Sequence, residues 1–239
     1  SPLSNKNVAS TLSVAETKRV KDGLIAYYNF GYDPDYIIHD LSEFGDPLNL
    51  KIQKPSAVNW NENNRLEVLS NTSLVSTSPA EKITAAICKT GELSLECWIR
   101  PAEPNIFSPC RVVSMGINDS EIGFVLDQNF TNVNDEKFLN YSIRVQTEST
   151  TKSGYPEISP VQDIAFLNLQ HVVYVRDSLG EECMYINGAK TANGFRPNSF
   201  DTWSKSFYLK LGNENDMSHP WRGTFYTLAI YNKSLTPLQ

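Results

Sequence analysis

The sequence predicts an all-β protein, a two-sheet antiparallel β-sandwich of the jelly-roll type with one short helix. Three observations point there. Short apolar or alternating runs recur between turn-forming residues along most of the chain. The 11 Tyr, 11 Phe and 4 Trp suit the half-buried surface of a pleated sheet. One segment alone has a clear helical period, so strands do not alternate with helices as a parallel sheet requires. A single sandwich of ~200–250 residues is a common size, and the 239 residues here are enough to build one. A chain of this length buries roughly 70% of its unfolded surface without needing a metal or disulfide to fold.

Residues 1–22 are polar and aperiodic and read as an N-terminal extension or linker, with weak helical character from Ser10 to Lys21. The sandwich is expected over residues 23–239. "LIAYYNF", from Leu24, is a short apolar and aromatic strand. An acidic, proline-bearing loop, "GYDPDY", leads to the turn "HDLSEFG". In "PLNLKI", Leu48, Leu50 and Ile52 share one face. "RLEVLS" and "SLVST" follow as strands.

"SPAEKITAAICKTG" is the helix. Ser78 is the expected N-cap, Pro79 takes the first helical position and Glu81 completes a capping box. Ile83 and Ile87 share a face, and Gly91 supplies the left-handed residue that ends the helix. "ELSLECWIRP" then alternates strictly, with Leu93, Leu95, Cys97 and Ile99 opposite Ser94, Glu96, Trp98 and Arg100. "RVVSMGI", "EIGFVLDQ" and "FLNYSIRVQTE" continue the sheets, and the polar loop "STTKSGYPEISPVQD" interrupts them. "QHVVYVRD" and "EECMYING" form a hairpin through "SLG". "KSFYLKLGNE" and "GTFYTLAIYN" close the chain.

The net charge is −6, with no cluster of Lys and Arg. Phosphate neutralisation needs a basic face, so nucleic acid is excluded as a partner, and so is an anionic membrane surface. No apolar run approaches the ~20 residues of a membrane span. Cys88, Cys97, Cys110 and Cys183 form no CxxC pair, which argues against zinc and dithiol chemistry. Their redox state stays open; Cys97 lies on the apolar face of its strand, where a buried thiol is ordinary.

"GLIAYYNF" followed by "HDLSEFGDPLNL" resembles the first two strands of the bacterial laminin-G-like domains of the concanavalin A-like lectin/glucanase superfamily. "GELSLECWIRPA" is similar to the central strand of that family, and "LQHVVYVRDSLGEECMYINGAK" to its hairpin. "LKLGNENDMSHPWRGTFYTLAIYNKSLTP" resembles its closing segment. The likeness runs in order from about Gly23 to the end. It implies a non-catalytic recognition domain, extracellular, surface-bound or periplasmic, that is a monomeric part of a larger protein. Carbohydrate is the ligand class it implies first, with a structural or protein-binding role as the alternative. Calcium is the metal it implies, with Asp40 in the turn as a ligand. The acidic residue the family often carries in its last strand is missing from "GTFYTLAIYN".

The fold also hosts glycan-cleaving enzymes, so paired carboxylates matter. No E-x-D-x-x-E or E-x-E pattern occurs on a strand face. Glu96 is the best single acid; it shares a face with Trp98 and is expected to pair with Arg176 or Arg144. Trp98 is expected to fill space between the layers, and His171 to satisfy a backbone group or carboxylate. His39, His171 and His219 are not spaced as a metal pair, and no G-x-S-x-G elbow exists. Enzymatic activity is therefore not expected. Sugars are held by flat aromatic faces and planar polar groups, which singles out the loop aromatics Tyr155, Trp203, Trp221 and Trp60. Five N-x-S/T sequons, at Asn71, Asn118, Asn129, Asn140 and Asn232, read as chance in an Asn- and Ser-rich chain of bacterial type.

Overall fold

The computed structural model describes residues 19–63, 65–102, 109–133 and 136–239. Most of the N-terminal extension, residues 1–18, lies outside the described residues, and with it most of the weak helical segment. Among the described residues fifteen strands form two antiparallel sheets. The strands are β1 (Leu24–Tyr28), β2 (Ile37–Ile38), β3 (Leu50–Ile52), β4 (Val58–Trp60), β5 (Leu66–Val68), β6 (Leu74–Ser76), β7 (Leu93–Pro101) and β8 (Cys110–Asn118). They continue with β9 (Glu121–Val133), β10 (Glu136–Val145), β11 (Gln170–Arg176), β12 (Glu181–Ile186), β13 (Ala189–Phe195), β14 (Tyr208–Leu211) and β15 (Gly223–Tyr231). The first sheet runs β13-β12-β11-β7-β15-β5-β4, with β1 also paired to β15. The second runs β10-β9-β8-β14-β6-β3-β2.

Alternation along the strands builds the core between these sheets. Leu93, Leu95, Cys97 and Ile99 of β7 and Leu228 and Ile230 of β15 are buried from one side. Met115, Phe124, Leu126, Ile143 and Leu209 close it from the other. Tyr141 is buried with them, its hydroxyl donating to Gln170 Oε1 at 2.8 Å, so the phenol enters the core satisfied. The four cysteines are free thiols.

The helix, α1, spans Glu81–Thr90 and starts later than expected. Its N-cap is Ala80, with no side-chain cap, and not Ser78. The Ala80 N–H is taken by the Phe207 carbonyl at 2.7 Å, so a residue distant in the chain, in the loop before β14, decides where the helix opens. Its end is as expected. Gly91 lies at φ 68°, in the left-handed region, and its N–H reaches the Ile87 carbonyl at 2.8 Å.

The two outer faces differ. On the second sheet, the residues that alternate with the core positions include the buried charges Arg111, Asp127, Arg144 and Lys210. Arg111 places Nη1 2.6 Å from Asp127, Nη2 2.6 Å from Asp119 and Nε 2.8 Å from Glu214. Arg144 lies 2.7 Å from Asp119, and Lys210 pairs with Glu214. On the first sheet, β1 runs beside β15 with Leu24 opposite Tyr231, which brings Arg19–Asp22 next to the chain's last residues. A cleft opens there.

Candidate functional site

The four aromatics and one acid singled out in the sequence do not come together. Trp203 is 5% exposed and Trp221 1%, so neither can face a ligand. Each indole N–H is spent internally, Trp203 on the Gln146 carbonyl at 2.8 Å and Trp221 on Gln128 Oε1 at 2.9 Å. Both are core residues carried by loops. Trp203 packs where Gly123 leaves room, since a Cβ there would stand 3.2 Å from the indole. Tyr155 is 48% exposed, with its ring 4.9 Å from the Arg144 guanidinium carbon.

Asp40 is not arranged as a metal ligand. Its Oδ1 accepts the Tyr27 and Ser42 N–H groups at 3.1 and 3.0 Å, and its Oδ2 the Leu48 N–H at 3.0 Å. The Lys82 ammonium fills the remaining place on Oδ2 and also donates to the Phe44 carbonyl at 2.8 Å and the Ser42 hydroxyl at 3.4 Å. A tethered cation thus sits among the oxygens that calcium would need. Burial would raise the Asp40 carboxyl, but Lys82 and the backbone donors hold it below its ordinary range. Among the described residues no group of three or more His, Cys, Asp or Glu is placed to hold a metal. The residues present do not fit the ion that the family resemblance implies.

Trp60 is the expected residue that the fold makes into a surface. It lies on the edge strand β4, and its indole N–H donates to the Phe30 carbonyl at 3.0 Å, which fixes the ring. The loop between β1 and β2 brings two further rings that sequence reasoning missed. Tyr32 meets Trp60 edge-on at 5.2 Å between centroids, and Tyr36 lies tilted at 5.7 Å. Tyr32 is 61% exposed and Tyr36 37%. Asp33 ties the loop by accepting the Asp35 and Ile37 N–H groups at 2.8 and 3.3 Å. Arg65 ties it from the other side, with Nη1 3.0 Å from the Asn29 carbonyl. Asp35, between the two tyrosines in the chain, is exposed. The available signal was "GYDPDY" itself, two tyrosines bracketing an Asp-Pro-Asp turn.

The cleft over the first sheet has a volume of about 240 Å³. Trp98 lies on its wall and not between the layers. It stacks on His171, its cross-strand partner, at 4.4 Å and 17°. His171 Nε2 lies 3.1 Å from Glu96 Oε1, as a structural histidine is expected to sit. The arginine on Glu96 is neither Arg176 nor Arg144 but Arg19, with Nη1 2.5 Å from Oε2. Arg176 instead donates to the Gly91, Arg196 and Asn198 carbonyls. Burial alone would raise the Glu96 carboxyl; the His171 hydrogen bond and the Arg19 charge outweigh it and hold the group at about 2.

A family model described as the concanavalin A-like lectin/glucanases superfamily, of laminin G type, matches residues 70–239. No curated protein matches the chain. Among solved structures, the botulinum neurotoxin serotype D/C binding domain is 13% identical with a TM-score of 0.65, covering 92% of this chain and 51% of that one. The neurotoxin DC binding domain in complex with rat synaptotagmin II is 14% identical with a TM-score of 0.64, at 92% and 50% coverage. The serotype D domain in complex with N-acetylneuraminic acid is 13% identical with a TM-score of 0.58, also at 92% and 50%. The chain spans about half the length of these domains, and at such identities the likeness is one of fold.

Proposed function

The chain belongs to the laminin G-type branch of the concanavalin A-like lectin/glucanase superfamily, and from that premise we propose that it is a non-catalytic carbohydrate-recognition module working outside the cytoplasm as part of a larger protein. The observation that carries this reading is the aromatic platform in which the exposed Tyr32 and Tyr36 meet the half-buried Trp60. A pyranose has an apolar C–H face and an edge of hydroxyls. The rings supply an apolar surface, angled where Tyr32 and Tyr36 meet Trp60, and the same loop carries Asp35, an exposed acceptor. Trp60 is already fixed by its bond to Phe30, so little ordering is left to lose on binding. Solved structures that contain this fold carry a sugar in one case and a protein in another, though in chains about twice as long.

The cleft supports binding over catalysis. Among the described residues that line it, Glu96 is the one side-chain carboxylate, and it is already paired with Arg19 and His171. Glycoside hydrolysis needs a second acid ~5–9.5 Å away.

A glycan-array screen of the protein with calcium and then with EGTA tests the reading. Binding should persist in chelator and fall at least tenfold in Tyr32→Ala and Trp60→Ala. Tyr32→Ala should keep its Tm within about 2 °C of the parent, as exposed substitutions do. Glycan binding untouched by both substitutions would move the site elsewhere, and no binding to any glycan would end the carbohydrate reading.

A further inference from the structure

We propose a second binding site, distinct from the aromatic platform: the Glu96 end of the cleft receives the guanidinium of an arginine on an extended protein segment, and Arg19 occupies it in cis as a displaceable internal ligand. The receptor side is built from strands. Glu96 comes from β7, Thr227 and Tyr231 from β15 and Tyr27 from β1. Arg19 Nη1 meets Glu96 Oε2 at 2.5 Å and the Tyr231 hydroxyl at 3.2 Å, and Nη2 lies 3.5 Å from Thr227 Oγ1. The guanidinium carbon lies 4.3 Å from the centre of the Tyr27 ring. A carboxylate, two hydroxyls and an aromatic face suit a planar, weakly hydrated cation that forks and stacks, and suit a compact ammonium less well.

The receptor is also oriented in advance. His171 holds the second oxygen of Glu96, and the Trp98 stack holds His171. The carboxylate is ionised throughout the ordinary pH range. Arg19, in contrast, precedes the first strand, on a segment that turns into β1 through a bond from the Leu24 N–H to the Lys21 carbonyl at 3.1 Å and is tied across by the Asp22–Lys233 ion pair and the Asn232 N–H on the Gly23 carbonyl at 2.9 Å, all of them downstream of Arg19. Its fit is incomplete, because Arg19 Nε is buried without an acceptor. An unmet buried donor carries a desolvation penalty, so the cis occupant binds below what the site could give. Among the described residues, the cleft beyond Arg19 is walled by Trp98, Val173, Tyr185, Leu235 and Pro237, with Val20 at its edge, and is mostly apolar. The matching segment therefore carries an arginine flanked by an apolar residue, as Arg19-Val20 does.

The test is displacement in trans. A fluorescent peptide with the sequence of residues 15–22, AETKRVKD, is titrated into the wild-type protein, Arg19→Ala and Arg19→Ala/Glu96→Gln. Saturable binding to Arg19→Ala is expected, at least tenfold tighter than to wild type, where Arg19 competes. It should be lost in the double variant and weakened at least tenfold when the peptide arginine is replaced by lysine. Ethylguanidinium should raise the Tm of Arg19→Ala but not of the double variant. If Arg19→Ala does not fold, Arg19→Met, which keeps the apolar stem, carries the same comparison. Folded Arg19 variants that bind neither peptide nor ethylguanidinium would overturn the proposal, leaving Arg19 a fixed structural contact. Equal peptide binding to wild type and Arg19→Ala would overturn it too. Glycan binding in these variants reports separately on the platform.

Discussion

At Glu96, burial and its neighbours pull in opposite directions, and the neighbours win. Desolvation favours the neutral acid, while His171 and Arg19 favour the charge and hold the group at about 2. In the unfolded chain the same side chain titrates near ~4.3. A depressed acid contributes stability that is complete above the unfolded value and is lost as pH falls through the folded one. That contribution is on the order of 3 kcal/mol for this shift and should fade between about pH 5 and pH 2. Urea unfolding at a series of pH values should therefore show a flatter acid limb for Glu96→Gln than for wild type, and lower stability for the variant at neutral pH. Equal slopes would mean that Glu96 is not held by these partners. The same scale shows why single residues were hard to read from sequence. Trp203 and Trp221 sit in polar, turn-rich stretches that look like surface, yet both are buried. Their burial depends on partners far away in the chain, Gln146 and Gln128, which no local pattern reveals.

Elements were more legible where their rules are local. The strict alternation of β7 gave the correct inward face, because pleat period and burial coincide there. The Asn187-Gly188 turn has φ of 52° and 81°, the positive values a tight hairpin wants from this pair. The end of α1 was equally local, and it yields a clean test. A Cβ at Gly91 would meet nothing nearer than Ser178 Cα at 3.8 Å, so only the left-handed backbone opposes a side chain. Gly91→Ala should cost about 1 kcal/mol, a Tm fall of roughly 2–4 °C for a chain of this size. The start of α1 was not legible, since Phe207 sets it. Strands β2 and β4, two and three residues long, are too short for a period to show, which hid the edge position of Trp60. Lys82 ties α1 to the Asp40 turn and takes the place of an ion. Wild-type Tm should therefore be the same in excess calcium chloride and in EGTA. Lys82→Met should lose about 1–3 kcal/mol, because Asp40 keeps its backbone donors but loses its counter-charge. A calcium-dependent rise in wild-type Tm would sink this account.

Across the whole molecule, the sandwich uses its two outer faces differently, and that difference explains where ligands can go. Over the first sheet Arg19, Val20 and the segment after β15 border an apolar cleft with the Arg19–Glu96 pair at its base. On the second sheet, Arg111, Arg144 and Lys210 interlock with Asp119, Asp127 and Glu214, three cations against three carboxylates, and fill that face. Such a network is tolerable only while it balances, since each buried charge has lost its water. Arg111 is the keystone, fully buried and touching all three acids. Removing it leaves Asp127, itself buried, with Arg144 at 3.6 Å as its nearest remaining guanidinium contact. Burial already pushes the Asp127 carboxyl up, so it would take a proton more readily still. Arg111→Met should therefore lower stability by about 3–5 kcal/mol at neutral pH. Part of that loss should return on mild acidification, as Asp127 becomes neutral, and more of it than in wild type, where Arg111 still opposes that protonation. Arg111→Met/Asp127→Leu should recover more than the sum of the single effects allows, because the two positions share one interaction. Urea unfolding of the four proteins closes the cycle. Additive effects would mean that the face is held by packing alone and that the charges on it are incidental.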